Sequence, residues 1–346
     1  MRKGQNPAKF VKDVAHPERI TVALLNYIPF LSGFYAETLD VLKVCLESMR
    51  RNAGLQFDLM VFDNGSCPEV REFLVKEKEE GRIQYLILSE KNMGKGGAWN
   101  VMLAGAPGEI IAYTDSDVLF SPNWLSRSVE ILETFPKVGM VTARPFRTPP
   151  EFYQATLKWA RDNAKLEEGQ FIQWETFLEF NLSLGQTEEE NRKVYAETRD
   201  WRISYNPSLR GGRSSRRSNL QLDEETASQQ SLAVTSDEIV AYAGASHWQF
   251  TAYKSTLQQF LPFEMDKPMG QVRQLDKRMN DAGLLRLMVF DPLAMNMSNT
   301  LGYLRGELKG GEKKKRIPFW KSVAELAPIK KLLLTIYNKI FRLYYE

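Results

Sequence analysis

Three short polar motifs in the first third of the chain contain residue types that suit phosphate, sugar and metal chemistry. Residues 63–66 (DNGS) place a carboxylate before a glycine that permits a sharp turn. Residues 92–100 (NMGKGGAWN) supply glycines, a lysine and the start of a predicted helix, which together suit a diphosphate. Residues 115–117 (DSD) hold two carboxylates. Each motif alone also fits an ordinary turn or a surface acid, so the functional prediction rests on all three together.

The pair Asp115 and Asp117 predicts a metal site. It follows the apolar residues 110–114 (IIAYT), which predict a buried strand. Two carboxylates at such a strand end repel each other unless a cation offsets their charge. Oxygen ligands select Mg²⁺ or Mn²⁺, ions that often bridge protein carboxylates and substrate phosphates. We therefore expect Mn²⁺ or Mg²⁺ as the cofactor.

The glycine-rich segment does not match two common nucleotide-binding patterns. Its spacing fits neither GxGxxG nor GxxxxGK[ST], so a dinucleotide fold and a P-loop are both excluded. Lys95 remains as a positive charge close to the predicted helix start.

The elements that must position these motifs alternate between strands and helices. This order predicts an α/β fold with a mostly parallel sheet flanked by helices. In such a sheet, ligands bind beyond the carboxyl ends of the strands, where all three motifs lie. The predicted strands cover residues 20–25, 59–62, 83–88, 109–114 and 138–142.

The remaining segments predict a chain of five parts. Residues 1–19 form an N-terminal tail and residues 20–146 a half that contains the three motifs. Residues 147–235 predict a helical insertion, with helices over 151–167, 171–184 and 188–200 and an arginine-rich loop over 210–219. The other two parts are a second α/β half at 236–305 and a basic linker with an amphipathic helix at 306–346. In the second half, strands are expected at 239–243, 248–253 and 285–290 with a helix at 272–282.

The order and spacing of the motifs resemble the nucleotide-sugar half of family 2 glycosyltransferases, which have the GT-A fold. The resemblance rests on an apolar strand followed by Asn26 and Tyr27, a DNGS-like turn, an N-x-G-rich segment and a DxD motif, all between residues 20 and 117. It extends to about residue 145. It implies a nucleotide diphosphate sugar as the donor. By this resemblance, residues 20–146 are the nucleotide-sugar-binding half and residues 236–305 the acceptor-side half.

The resemblance also implies roles for individual residues. Asp63 contacts the nucleobase, Asp115 faces the ribose or the metal, and Asp117 binds the metal that holds the diphosphate. The implied donor-binding residues are Asn26, Tyr27, Asp63, Asn64, Asn92, Gly94, Lys95 and Asp115.

The acceptor half departs from the family pattern. Gly270, Arg278 and residues 282–283 (AG) fit the expected frame, but the family's Glu-Asp is replaced by residues 271–272 (QV). A later family histidine corresponds to Asn296. The remaining candidates for a general base are Asp276, which also fits a solvated helix residue, and its rivals Glu264 and Asp266. His247, beside Trp248, fits a position in the cleft but also a structural role.

Composition limits the class of protein. The chain has 346 residues, 43% of them hydrophobic, which is enough for a sizeable core. Two cysteines and two histidines exclude a disulfide framework and nearly exclude histidine-based metal sites. No apolar run reaches the roughly 18 residues of a membrane span, and residues 1–19 lack a signal-peptide core. We expect a cytoplasmic protein, with peripheral attachment to the inner face of the cell membrane as an alternative.

The charge distribution bears on the partners. Residues 313–346 contain nine basic and two acidic residues, whereas the remainder is slightly acidic. Residues 329–346 predict an amphipathic helix with a basic edge, which suits an anionic membrane surface or packing on the core or a second subunit of a homo-oligomer. No nucleic-acid motif is present, so nucleic acid is not an expected partner.

The sequence leaves three functions open. The first is a metal-dependent glycosyltransferase that moves a hexosyl or related group, with inversion, to a hydroxyl of a cell-envelope glycan or lipid-linked acceptor. The second is a catalytically inactive subunit that binds a nucleotide or glycan, suggested by the altered acceptor half. The third is a nucleotidyltransferase, which the lack of a triphosphate loop after the first strand disfavours.

Overall fold

The apolar run ITVALLN folds as β1 (Ile20–Asn26), a strand that is buried along its whole length at the centre of a sheet. The structure, a computed structural model, describes residues 5–209, 238–265 and 272–306. The described residues up to Leu304 belong to one compact unit. The predicted arginine-rich loop at 210–219, Asp266, Gly270 and the predicted helix at 329–346 lie outside the described residues.

The first half confirms the predicted alternation of strands and helices. Strands β1, β2, β3 and β4 pair in parallel in the order β3-β2-β1-β4. The elements that follow β1 are α1 (Thr38–Arg51), β2 (Asp58–Asp63), α2 (Pro68–Glu79), β3 (Tyr85–Leu88), α3 (Gly94–Gly105), β4 (Ile110–Asp115), β5 (Val118–Phe120), α4 (Trp124–Thr134) and β6 (Val138–Thr142).

The second half extends the same sheet to ten strands. Its full order is β3-β2-β1-β4-β10-β6-β11-β9-β8-β7, and β12 pairs separately with β5. The elements after β6 are α5 (Gln154–Asn163), β7 (Lys165–Gly169), α6 (Trp174–Ser183), α7 (Glu188–Glu197), β8 (Asp200–Tyr205), β9 (Ile239–Ala243), β10 (Gln249–Tyr253), α8 (Lys254–Gln258), α9 (Val272–Asp281), β11 (Leu285–Met288) and β12 (Ala294–Asn296).

The sheet is mostly parallel, as predicted. The strands that run in one direction are β1, β2, β3, β4, β6, β8 and β11, whereas β7, β9 and β10 run the opposite way. Strand β10 lies between β4 and β6 and is antiparallel to both. Its first residues therefore lie beside the carboxyl end of β4.

The prediction of a helix over residues 151–167 is wrong at its C-terminal end. Helix α5 ends at Asn163, and Lys165–Gly169 forms β7. This strand pairs with β8, where Arg202 lies opposite Glu167 and binds its carboxylate at 3.0 Å. The segment predicted as a helical insertion thus contains α5, α6 and α7 but also adds two strands to the sheet. Charged residues on an exposed edge strand hide the strand from a search for apolar runs.

Helices cover both faces of the sheet. Along β1, Val22 and Leu24 belong to one buried cluster and Ala23 and Leu25 to the other, because side chains alternate along a strand. Helices α1, α2, α4, α5 and α6 pack in the first cluster, and α3, α8 and α9 pack in the second. We call the second side the α3–α9 face. In the part of the chain that the structure describes, no helix has the length and apolar character needed to cross a membrane.

Candidate active site

The carboxyl ends of β1, β2 and β4 bring the three predicted motifs together. Asn26 ends β1, Asp63 ends β2 and Asp115 ends β4. Asn26 lies opposite Asp63, and Leu25 lies opposite Asp115 in the parallel ladders. The strand ends thus align in one row, as expected for a ligand site of a parallel sheet.

Asn26 and Asp63 are fully buried and bind each other. Asn26 Nδ2 donates to Asp63 Oδ1 at 3.0 Å and to Ser66 Oγ at 3.1 Å. Asp63 Oδ2 accepts from the Ser66 backbone N–H at 3.1 Å and from Arg71 Nε at 3.4 Å. Both carboxylate oxygens therefore hold the turn, and the Asp63 side chain has no exposed surface. Tyr27, the next residue after Asn26, is exposed.

Asn64 joins the first motif to the second. Its Nδ2 donates to Asn92 Oδ1 at 2.9 Å, and its Oδ1 accepts from the Met93 backbone N–H at 2.8 Å. Asn92 Oδ1 also accepts from the Gly94 N–H at 2.8 Å. Gly94 has a φ of +69°, where a residue with a Cβ is strained, and it begins α3. These contacts fix the entry to α3 beside the strand ends.

Lys95 binds the first carboxylate of the DSD motif. Its Nζ lies 2.7 and 2.8 Å from the two oxygens of Asp115. The Tyr113 hydroxyl also donates to Asp115 Oδ1. Burial, and next the negative charge of Asp115, raise the pKa of Tyr113 well above its usual value, so the phenol stays protonated and remains a donor. The negative charge of Asp115 is thus already compensated by a protein cation.

Asp117 differs from Asp115 in having a buried oxygen, Oδ1, with no hydrogen-bond partner among the described residues. Burial raises the pKa of Asp117 to about 7, and the nearby charge of Asp115 adds to the effect. The Asn296 side chain hydrogen-bonds to this carboxylate, and Lys95 opposes the shift through its charge. Both interactions favour the ionised form, but they do not cancel the cost of burial.

The residues present fit a divalent cation at Asp117. A cation bound there supplies the missing partner of Oδ1 and favours the ionised carboxylate. The described residues contain no group of three His, Cys, Asp or Glu side chains arranged for a metal. The donor set therefore suits an ion that takes one or two protein carboxylates and completes its shell with substrate phosphates and water. Asn296 adjoins this position because β12 pairs with β5, opposite Val118.

The candidate bases lie in different environments. Asp276 is only 4% exposed, and its Oδ1 accepts from Arg286 Nη2 at 2.6 Å while its Oδ2 lies 3.0 Å from His247 Nδ1. The alternative of a solvated helix residue is therefore wrong for Asp276, because the ion pair with Arg286 compensates its burial. Glu264 is exposed, and its carboxylate lies 3.5 Å from the Gln274 amide.

The contact between His247 and Asp276 could not be found from the sequence. His247 lies two residues before the start of β10, and the Asp115 N–H donates to the carbonyl of the next residue, Trp248, at 2.9 Å. The histidine is near the DSD motif only because β10 inserts beside β4. The sequence shows a histidine and an aspartate 29 positions apart, but it does not show the strand order that brings them together.

The comparisons with known proteins agree with the resemblance to glycosyltransferases that the sequence predicted. Residues 33–187 match the family model described as glycosyl transferase family 2. This match confirms the resemblance predicted from the three motifs, since it includes all of them. It identifies this part of the chain as similar to family 2 glycosyltransferases.

Curated relatives share the same region. The chain is 28% identical over 122 residues to an uncharacterized glycosyltransferase of Nostoc sp., covering 35% of this chain and 34% of that protein. It is 32% identical over 88 residues to an uncharacterized glycosyltransferase of Rickettsia bellii, covering 25% of this chain and 12% of that protein. The aligned parts are therefore about a third of the first relative's own length and about an eighth of the second's.

Among solved structures, a mannosyltransferase from Pyrobaculum calidifontis, in complex with GDP-Man and Mn²⁺, is similar to the chain. It shares 16% identity, covers 80% of this chain and 55% of its own, and superposes with a TM-score of 0.42.

Proposed function

We propose that this protein is a metal-dependent glycosyltransferase that moves a sugar from a nucleotide diphosphate sugar to a hydroxyl acceptor. The observation that carries the proposal is the unpartnered, buried oxygen of Asp117 beside the Lys95–Asp115 pair. Burial raises the pKa of Asp117, and a bound cation would stabilise its ionised form. A leaving diphosphate is likewise stabilised by cationic partners. The site combines both requirements at one sheet edge.

The donor diphosphate is proposed to lie at the start of α3. The first N–H groups of a helix have no partner within the helix, and its N-terminus attracts anions. Lys95 adds a positive charge in the first turn, and the 92–94 turn that Asn64 holds brings the backbone close. Of the implied donor residues, Tyr27, Asn92, Gly94 and Lys95 are at least partly accessible, whereas Asn26, Asp63 and Asn64 support the loops.

Asp117 is the proposed metal ligand, with Asp115 and Asn296 close to it. A Mn²⁺ or Mg²⁺ ion bound there supplies charge neutralisation for the departing nucleoside diphosphate. The protein's own share is to orient the diphosphate along α3 and to hold Asp115 through Lys95 and Tyr113. The acceptor hydroxyl attacks the anomeric carbon from the side opposite the diphosphate, which gives an inverted product.

The acceptor is proposed to be a cell-envelope glycan or a lipid-linked sugar. The support is the basic, amphipathic sequence of residues 329–346, which suits an anionic membrane surface. A cytoplasmic protein attached peripherally to the inner face of the membrane fits this acceptor.

An inactive partner subunit is the second candidate function. It is favoured by residues 271–272 (QV), which stand where the family carries Glu-Asp. Such a protein binds a nucleotide or glycan but releases no nucleoside diphosphate.

Release of nucleoside diphosphate from a donor panel distinguishes the two functions. The purified chain is incubated with Mn²⁺ or Mg²⁺ and UDP-glucose, UDP-N-acetylglucosamine, GDP-mannose and TDP-glucose, with simple glycosides as acceptors. Release from one donor that falls roughly 10³-fold or more in Asp117→Asn is expected, since a metal is worth several kcal/mol in the transition state. Asp40→Asn, an exposed aspartate on α1, is the matched control and retains activity. Nucleotide binding without release from any donor would instead support the inactive subunit.

A further inference from the structure

His247 lies at the same sheet edge as the DSD motif. Gln249 pairs with Thr114, and the Trp248 carbonyl accepts from the Asp115 N–H. One residue further back along the chain, His247 is at the level just beyond Asp115. Its side chain is 26% exposed, so part of the ring is open to a ligand.

The His247 ring lies on the same face of the sheet as Lys95 and Asp115. Trp248 packs in the first core cluster, and Phe250 packs on the α3–α9 face with Tyr113. The partner of His247 is Asp276 of α9, a helix of the α3–α9 face. Lys95 belongs to α3, another helix of this face.

The hydrogen bond to Asp276 decides which ring nitrogen of His247 carries the proton. An ionised carboxylate only accepts hydrogen bonds, so Nδ1 of a neutral His247 must be the N–H donor. The lone pair then lies on Nε2, at the far side of the ring. A neutral imidazole in this tautomer has one free proton acceptor.

Arg286 fixes both members of the pair. Its side chain is fully buried, and it donates to Asp276 Oδ1, to the Phe152 carbonyl at 2.7 Å and to the Ala245 carbonyl. Ala245 lies two residues before His247, so one guanidinium holds the carboxylate and the backbone that carries the imidazole. This arrangement is typical of a positioned base, because a free surface histidine needs no such support.

We propose that His247 Nε2 accepts the proton of the acceptor hydroxyl during sugar transfer and that Asp276 is its positioning residue. This inference rests on the proposed function and supplies the base that residues 271–272 do not provide. As the bond from the acceptor oxygen to the anomeric carbon forms, the bond from that carbon to the diphosphate oxygen breaks. Its electron pair leaves on the nucleoside diphosphate, the hydroxyl proton moves to Nε2, and His247 later releases it to water.

Variants of His247 test the proton transfer. We expect His247→Ala to lower kcat by about 10² to 10⁴-fold, the usual contribution of a general base. Added imidazole should restore part of the rate in His247→Ala but not in His247→Gln, which fills the space that the small base needs. Affinity for UDP or GDP should stay within about twofold, and His16→Ala, the other histidine of the chain, should match the wild type.

Asp276→Asn tests the positioning role. The amide oxygen is needed by the always-charged Arg286, so its NH₂ group faces His247 and forces the proton onto Nε2. We expect kcat to fall by between about 10-fold and 10⁴-fold with an unchanged donor KM, since a wrong tautomer is a catalytic defect.

Two outcomes overturn the inference, and they differ. Transfer by the wild type that persists within about threefold in both His247→Ala and His247→Gln would exclude His247 as the base while the glycosyltransferase function stands. Absence of transfer by the wild type with every donor would remove the function and this inference with it. His247→Gln, which preserves side-chain polarity, keeps the test valid if His247→Ala fails to fold.

Discussion

Two regions of this molecule are built in different ways. We call the strand ends at Asn26, Asp63 and Asp115, where the donor is proposed to bind, the donor edge, and the cluster of His247, Asp276 and Arg286 the acceptor side. At the donor edge, each motif is a contiguous stretch of sequence at the end of one parallel strand, and its contacts are with the neighbouring motif. At the acceptor side, His247, Asp276 and Arg286 come from three separate elements and meet through a strand that inserts antiparallel into the sheet. The difference teaches that local motifs indicate the proposed donor site far better than they indicate the proposed base.

The two sides also handle buried charge differently. On the acceptor side, Arg286 and His247 occupy both oxygens of Asp276. On the donor edge, Lys95 occupies Asp115, but Asp117 keeps one buried oxygen without a partner among the described residues. Both oxygens of the buried carboxylate on the acceptor side thus have protein partners, whereas the proposed cation would supply the missing partner of Asp117 on the donor edge.

The largest expected effect on stability comes from Asp117. Its pKa is raised from 3.8 in the unfolded chain to about 7 in the folded protein. Between these pH values the folded state therefore binds the Asp117 proton more tightly than the unfolded chain does. The contribution of this group to the free energy of unfolding is fully present below about pH 4 and is lost as the pH rises through about 7. In chelator at pH 8, Asp117→Asn should be more stable than the wild type by up to about 4 kcal/mol, with a small gap at pH 4.5.

Urea unfolding at pH 4.5 and pH 8, with and without Mn²⁺, measures this effect. Mn²⁺ should stabilise the wild type at pH 8 and leave Asp117→Asn unchanged, and Asp40→Asn serves as the exposed control. An equal difference between wild type and Asp117→Asn at both pH values would show that the Asp117 charge is not strained by burial.

The next largest effect concerns Lys95, which distinguishes charge compensation from packing. Lys95→Met leaves Asp115 without its cation, and the expected loss is about 1.5–3 kcal/mol because the side chains are only 9% and 29% exposed. The double variant Lys95→Met/Asp115→Asn should recover most of this loss in urea unfolding but not donor binding. Lys43→Met, which breaks an exposed pair with Asp40, should cost only about 0–1 kcal/mol. A Lys95→Met loss that persists in the double variant would point to packing.

Sequence reasoning predicted the donor edge because a parallel strand, its end and the following turn are adjacent along the chain. Asp63 and Asp115 could thus be placed at the ends of strands, and the structure does place them in one row. The hydrogen-bond partners of these carboxylates could not be predicted from the sequence. Asp63 hydrogen-bonds to Asn26 and Arg71, and Asp115 binds Lys95. These contacts depend on how far side chains extend between loops, which strand patterns do not encode.

The missed features all depend on long-range order of the sheet. Strands β7 and β8 have charged residues and lie at or near the sheet edge, so their hydrophobic pattern is weak. The pairing of His247 with Asp276 requires that β10 insert between β4 and β6, and an antiparallel insertion leaves no local signature. The pairing that supports His247 as the proposed base could therefore not be predicted from the sequence, which indicated Asp276 as a candidate base and His247 only as a residue of the cleft or of the structure.

The smallest expected effect tests how tightly the donor loops meet. Gly65 has a φ of +88°, and a Cβ added there lies 3.1 Å from the backbone N of Asn92 and from the backbone C of Lys91. Gly81, with a φ of +75°, has no described atom within 4 Å of such a Cβ. Both alanine variants carry the left-handed backbone cost of about 1–2 kcal/mol, but only Gly65→Ala also crowds a neighbouring loop.

We expect Gly65→Ala to be less stable than Gly81→Ala by about 1 kcal/mol, since backbone atoms yield less readily than flexible side chains. It should also raise the donor KM, because the 63–66 turn and the 92–94 segment set the start of α3 through Asn64. Urea unfolding and donor titration of the two variants provide the measurement. If the two variants lose equal stability and keep equal donor KM, the close approach of these loops does not shape the donor site, and the contrast with the acceptor side rests on charge alone.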